Sequence, residues 1–327
     1  MTEPALSIRN LRVEFFGRRG RLVAIDDVSF DVAQGEILGV VGESGAGKSV
    51  TGAAIVGLIE HPGRMTGGEI RLKGDRIDQL PAAGMRKIRG RRIGMVFQDP
   101  LSSLNPLFRI GDQIVETMRA HLEISKADAR RRTVKLLDEV GIPAAASRVD
   151  AYPHQLSGGM RQRVVLALVL CTAPELIIAD EPTTALDVSV QAQIIALIKA
   201  LAKNYGTSVM LITHDLGVIA EIADRVAVMY AGRLVEIGSV RDVLKGAKHP
   251  YSQGLMSAIP SLRQGAGPLR QIPGGMPRLH AMPSGCAFHP RCQFVMERCR
   301  FERPMPVRSG DIEVACWLHG KGLGVAR

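Results

Sequence analysis

Residues 42–49 read Gly42-Glu43-Ser44-Gly45-Ala46-Gly47-Lys48-Ser49, an unbroken G-x-x-x-x-G-K-[ST] loop. The chemistry of that spacing is polyphosphate binding. Glycines let backbone N–H groups turn inward around an anion, and the N-terminus of a following helix adds partial positive charge. Lys48 has the reach for β- and γ-phosphates, and the Ser49 hydroxyl can ligate Mg²⁺. The candidate nucleotide contacts therefore run from Gly42 through Val50. The plain alternative is a glycine turn with an incidental lysine. The context favours a nucleoside triphosphate, since the loop lies between the apolar run 36–41 and the helical pattern 49–59.

A second group of reactive residues closes the run Leu176-Ile177-Ile178-Ala179-Asp180-Glu181. An apolar strand delivers two carboxylates at its C-terminal end, where ligands collect in open α/β sheets. Successive strand residues face opposite ways, so the two acids have different tasks. Asp180 suits Mg²⁺, through a water, and Glu181 suits orienting or deprotonating a water beside the γ-phosphate. Between loop and acids stands Leu156-Ser157-Gly158-Gly159-Met160. Alone it reads as a helix N-cap, and beside a phosphate loop it is a second anion site.

The elements that must position these groups can be read from periodicity. Ser7–Phe16, Leu22–Val32, Glu36–Val41, Ile70–Arg76, Ile93–Gln98, Leu176–Ala179, Ser208–Thr213 and Arg225–Tyr230 have strand character. Between Asp99 and Gly159 the pattern is helical, with a start at Ser125 and Asp128 and a stop at Gly141 and Pro143. Met160–Cys171 and Leu216–Ala223 also read as helices, and Val190, Ile194, Leu197, Ile198 and Leu201 form one apolar stripe. Strands alternating with crossover helices predict an α/β fold with a mostly parallel sheet. From about Pro260 repeated Pro and Gly predict an extended tail that needs a staple to hold a fold.

Composition narrows the class further. The chain has 327 residues, 46% hydrophobic and 23% charged, with a net charge of +10. That is globular composition, and it excludes a disordered chain. The last 79 residues hold ten Lys or Arg against four Asp or Glu, so the basic excess leans towards the C-terminus. No run reaches the roughly 18 apolar residues of a membrane span, and the opening MTEPALSIRN lacks the layout of a signal peptide. The expectation is a protein kept in the cytoplasm. Five cysteines are too few for a disulfide scaffold.

Taken together, these motifs resemble those of ATP-binding cassette (ABC) ATPases. Leu156–Met160 is similar to the family signature, with Met160 where Gln is commonest, a variant shared with the oligopeptide branch. Gln98 stands where the Q-loop glutamine would be, Ala185-Leu186-Asp187 at the D-loop, His214 at the switch histidine, and Phe15 at the adenine-stacking aromatic. The resemblance implies a P-loop NTPase of the ABC type, with an antiparallel β subdomain and a helical subdomain at about 99–160 that grips a membrane subunit. It implies ATP with Mg²⁺ held by Ser49, Gln98 and Asp180, catalysis by Glu181, His214 and Gln98, and a γ-phosphate contact from His214. It also implies a head-to-tail pair in which Ser157, Gly158, Gly159 and Asp187 serve the partner's nucleotide.

The segment His249-Pro250-Tyr251 is similar to one in dipeptide and oligopeptide importer ATPases. That branch implies a cassette over 1–258, an extension over 259–327, two transmembrane permease subunits, a second similar ATPase or a second copy, and an extracytoplasmic binding protein. It places the chain on the cytoplasmic side of the inner membrane and implies no nucleic-acid partner. Nickel or glutathione import is the near alternative. A soluble ABC ATPase on ribosomes or DNA is the distant one. Cys286, Cys292, Cys299 and Cys316 form C-x5-C-x6-C-x16-C. Spacing alone leaves an iron–sulfur cluster, zinc and buried thiols open. The resemblance implies a [4Fe–4S] cluster. Cys171, in an apolar helix, reads as core.

Overall fold

The computed structural model describes residues 3–18, 20–98, 103–184, 186–257 and 272–319. The chain divides into two compact units, Met1–Leu6 with Asp31–Ile37 and Arg71–Ile212, and Ser7–Phe30 with Leu38–Ile70 and Thr213–Arg327. The expected boundary near 258 falls in 258–271, outside the described residues.

In the first unit three strands run parallel: β6 (Ile93–Val96), β7 (Leu176–Asp180) and β8 (Ser208–Ile212), with β7 in the middle. Ile93 pairs with Leu176, and Leu176 with Ser208. Every residue of β7 and β8 is buried, as continuous apolar runs in a parallel sheet require. The helical stretch comprises α3 (Ile110–His121), α4 (Lys126–Glu139), α5 (Ala145–Arg148) and α6 (Gly158–Leu170). Ser125 caps α4 by accepting the Asp128 N–H at 3.1 Å, and Gly141 at φ 77° ends it. In α7 (Val188–Tyr205) the buried stripe is Ile194, Ile195, Ile198, Leu201 and Ala202, so Ile195 joins the expected face. The helix α2 (Ala82–Ile88) has no counterpart in the periodicity reading.

Ile70–Arg76 is not one strand. The last residues of β4 (Gly63–Leu72) pair antiparallel with β5 (Asp75–Arg76), Leu72 opposite Asp75. The turn between them, Lys73-Gly74, has φ of 43° and 79°, the twist that joins adjacent antiparallel strands.

In the second unit β1 (Leu6–Gly17) lies between β2 (Gly20–Val32) and β4. A separate ladder runs β3 (Ile37–Val41), β9 (Arg225–Tyr230), β10 (Arg233–Ser239), β12 (Ile312–Val314), β11 (Val307–Ser309). β3 and β9 are parallel, Leu38 opposite Arg225. The other pairs are antiparallel, with Glu236 opposite Val314. Two short strands of the Pro- and Gly-rich C-terminal segment continue this ladder. Arg303 of the same segment reaches Asp26 at 3.3 Å, beside Arg233 at 2.8 Å and Arg12 at 2.6 Å. Burial alone would raise the Asp26 carboxyl, and these three guanidinium groups hold it below the usual range. Helix α1 (Lys48–Ile55) stops four residues before the expected Ile59, because Gly57 turns the chain at φ 62°. The remaining helices are α8 (Leu216–Ile222), α9 (Val240–Gly246) and α10 (Pro250–Ser257).

Candidate functional site

The phosphate loop joins β3 to α1, as the sequence predicts. Gly42 has φ 154°, and a Cβ there would lie 2.3 Å from the Met229 carbonyl oxygen. Gly47, at φ 100°, caps α1, and a Cβ on it would meet Ile25 at 2.6 Å. No side chain fits either place. Ala46 is buried, while Ser44, Gly45 and Ser49 are exposed and Val50 is half-buried. The buried Lys48 ammonium donates to the carbonyls of Gly42 at 2.8 Å and Glu43 at 3.2 Å. The cation is thus folded back over the loop.

Glu43 differs from its neighbours. Its N–H donates to the Tyr251 hydroxyl at 2.8 Å, and its carboxylate takes two hydrogen bonds from Arg291 at 2.9 and 3.0 Å. The loop's one acid is held by the C-terminal part of the chain.

In the other unit, Asp180 is the buried last residue of β7, and Glu181 follows it in the left-handed region at φ 47°. The Glu181 N–H donates to the Ile212 carbonyl at 2.8 Å, which anchors this turn to β8. Its carboxylate Oε2 accepts from the Thr184 hydroxyl at 2.8 Å and from the Gln98 amide at 3.3 Å. A non-glycine residue in that region is costly, and the surrounding bonds hold it there. The structure thus joins two expected catalytic residues, Gln98 and Glu181, and adds Thr184. A hydroxyl one turn after the acid pair is the signal that could have found it.

Ser157 caps α6 by accepting the Met160 N–H at 3.3 Å, so Gly158 and Gly159 open that helix. A Cβ on Gly158 would have room, whereas one on Gly159 would come 2.6 Å from Val190 of α7. Asp187 caps α7, accepting the Val190 N–H at 3.0 Å. Ala185 lies outside the described residues. In the second unit His214 is exposed between Thr213, whose N–H donates to Val40, and Asp215, whose carboxylate caps α8. Phe15 is half-buried, and its ring leaves no space for a Cβ on Gly63, at 2.7 Å. Phe16 is exposed under the Arg64 guanidinium, 4.1 Å from its ring centre.

The His-Pro-Tyr segment has a definite structural task. Buried Glu236 accepts the N–H groups of Lys248 at 2.6 Å and His249 at 3.0 Å. His249 Nδ1 in turn accepts the Tyr251 N–H at 3.0 Å, and burial pushes its pKa down to about 3. Tyr251 then packs edge-on to Tyr230, ring centres 4.6 Å apart, with its hydroxyl on the phosphate loop.

Cys286, Cys292, Cys299 and Cys316 line one small cavity with His249, His289 and Trp317, and none forms a disulfide. Burial pushes the Cys316 thiol up to about 12, and negative charge on the other three would raise it further. Four thiolates crowded together fit a cationic centre by chemistry. Among the described residues no three His, Cys, Asp or Glu side chains are grouped as a metal site. Cys171 is buried core, its thiol raised to about 12 by desolvation.

Comparison with known proteins fits this geometry. Residues 25–184 match the ABC transporter family, and residues 235–299 match the oligopeptide/dipeptide transporter C-terminal region. The chain is 44% identical over 311 residues to the dipeptide transport ATP-binding protein DppD of Haemophilus influenzae, covering 95% of this chain and 94% of that protein. It belongs to the ABC transporter ATP-binding family. Identity is 46% to the oligopeptide transport ATP-binding protein OppD of Salmonella typhimurium, over 95% of this chain and 93% of that one. Among solved structures it resembles the cassette MJ0796 in a dimeric post-hydrolysis state bound to ADP and Pi. There the TM-score is 0.65 at 27% identity, covering 72% of this chain and 99% of that one. The ABC ATPase fold and class expected from the motifs are thus established for this chain. No helix among the described residues is long and apolar enough to cross a membrane.

Proposed function

We propose that this ABC ATPase powers import of dipeptides or oligopeptides. The observation that carries the reading is that similarity to DppD and OppD proteins runs through the C-terminal region as well as the cassette. The backbone N–H groups of the loop Gly42 to Val50 bind the triphosphate, with Lys48 on the β- and γ-phosphates, Phe15 on the adenine, and Ser49, Gln98 and Asp180 around Mg²⁺. Glu181 orients and deprotonates the attacking water, supported by Gln98 and Thr184, with His214 on the γ-phosphate. Ser157, Gly158, Gly159 and Asp187 serve the nucleotide of a partner cassette, in a pair formed with a second ATPase or a second copy. The helical stretch beginning at about residue 99 engages two permease subunits at the inner face of the membrane, and an extracytoplasmic binding protein delivers cargo.

ATP must bind the closed pair more tightly than the open one for closure to move the permeases. The test is uptake of a labelled dipeptide into vesicles holding permeases, both ATPases and binding protein. ATP-dependent uptake supports the reading, and ATP turnover without uptake of any peptide contradicts it. The same function includes a [4Fe–4S] centre on Cys286, Cys292, Cys299 and Cys316, supported by the cavity these residues share and by the resemblance. It predicts iron bound to coloured, anaerobically purified protein, and colourless, iron-free protein contradicts it.

A further inference from the structure

The phosphate loop contains an acid that works against its ligand. Glu43 stands one residue after the first glycine of a loop built to receive a polyanion, and an unpaired carboxylate there repels the triphosphate. The structure answers this from far along the chain, because Arg291 places a fork of two N–H donors on the Glu43 carboxylate at 2.9 and 3.0 Å. The Arg291 side chain is 7% exposed, so the pair is little screened from that side.

Every direction of that guanidinium is fixed. Nε donates to the Pro273 carbonyl at 2.8 Å, and the terminal nitrogens also reach the Ile272 and Gly274 carbonyls and the Tyr230 hydroxyl, each at 3.4 Å. The Arg291 charge lies 5.8 Å from the ring centre of Tyr230 and 5.9 Å from that of Phe288. Its backbone belongs to the 3₁₀ turn His289–Arg291, closed by the His289 N–H on the Cys286 carbonyl and the Cys292 N–H on the His289 carbonyl. Tyr251 holds the same loop residue from its backbone side.

We propose that Arg291 is a positioning residue for nucleotide binding: it neutralises Glu43 and turns it away from the phosphates, so that the C-terminal segment sets the affinity of the loop. This rests on the reading of residues 42–50 as the triphosphate site. Arg291 touches no nucleotide and acts through Glu43. The requirement for the segment is therefore electrostatic as well as structural, and removing the acid removes the need for the arginine.

The experiment is Mg-ATP titration of the full-length chain by calorimetry, with a melting curve for each variant. Arg291→Ala is expected to weaken binding roughly tenfold, the scale of one partly screened charge pair. Adding Glu43→Gln to Arg291→Ala is expected to restore affinity to within about threefold of the parent, since no unpaired carboxylate then remains. Arg298→Ala, which removes a guanidinium stacked 3.4 Å over Trp317 in the same segment, is expected to leave affinity unchanged. Should Arg291→Ala fail to fold, Arg291→Lys keeps the charge without the fork. It is then expected to bind about threefold more weakly, again with recovery in the Glu43→Gln background. Parental affinity in Arg291→Ala or Arg291→Lys overturns the proposal, and so does a double variant no tighter than the single one. If the unmodified chain takes up no Mg-ATP at all, the triphosphate site itself is wrong, and the two failures are thereby told apart.

Discussion

At Glu181 the backbone turns to φ 47°, and three bonds hold the residue there: N–H to Ile212, and carboxylate to Thr184 and Gln98. A carboxylate fixed by a hydroxyl and an amide keeps a lone pair directed at one place, as a general base requires. His249 shows the opposite use of a titratable group. It is neutral by burial, accepts the Tyr251 N–H at Nδ1, and has Glu236, Lys248 and His319 as its charged or titratable surroundings. Its folded pKa of about 3 lies below the ordinary value of 6.5, so the unfolded chain binds the proton more readily. Its contribution to stability is therefore complete above pH 6.5 and is lost as pH falls towards 3, by about 1.4 kcal/mol per pH unit. Between pH 7 and pH 5 this costs roughly 2 kcal/mol, which His249→Asn, retaining an acceptor, should largely abolish. Melting at the two pH values checks this, and an equal drop in parent and variant would contradict it.

The parallel strands β3, β6, β7, β8 and β9 and the phosphate-loop helix were legible because burial in a parallel sheet writes itself as unbroken apolar runs. By contrast, β10 (Arg233–Ser239), interrupted by Glu236, has no counterpart in the sequence reading. The cap at Ser125 was legible because capping is local. The errors lie where a short-range signal competes with a turn. Gly57 stops α1 early, and Lys73-Gly74 folds one expected strand into a hairpin. The short strands of the C-terminal segment are not legible for another reason. Its strands, three residues each, are too short to show a period and exist only because β10 offers an edge. Gln98 and Glu181 were recognisable by type and order, but their contact belongs to the fold. The Arg291–Glu43 pair spans 248 positions, and no periodicity or motif links an arginine in a Pro-rich stretch to a loop that far away.

Across the whole chain, a net charge of +10 alone cannot separate nucleic acid, lipid and protein partners. What separates them is that both the cassette and the C-terminal region match transporter families. Transport work requires that hydrolysis be a distinct step from binding, performed by groups other than those that grip the nucleotide. The most direct measurement is single-turnover hydrolysis of bound Mg-ATP by the full-length chain carrying Glu181→Gln, assembled with its companion subunits. Retained ATP with hydrolysis slowed by at least ~100-fold is the predicted result. Hydrolysis at the parental rate would contradict the assignment of Glu181 and the separation of binding from cleavage on which the account depends.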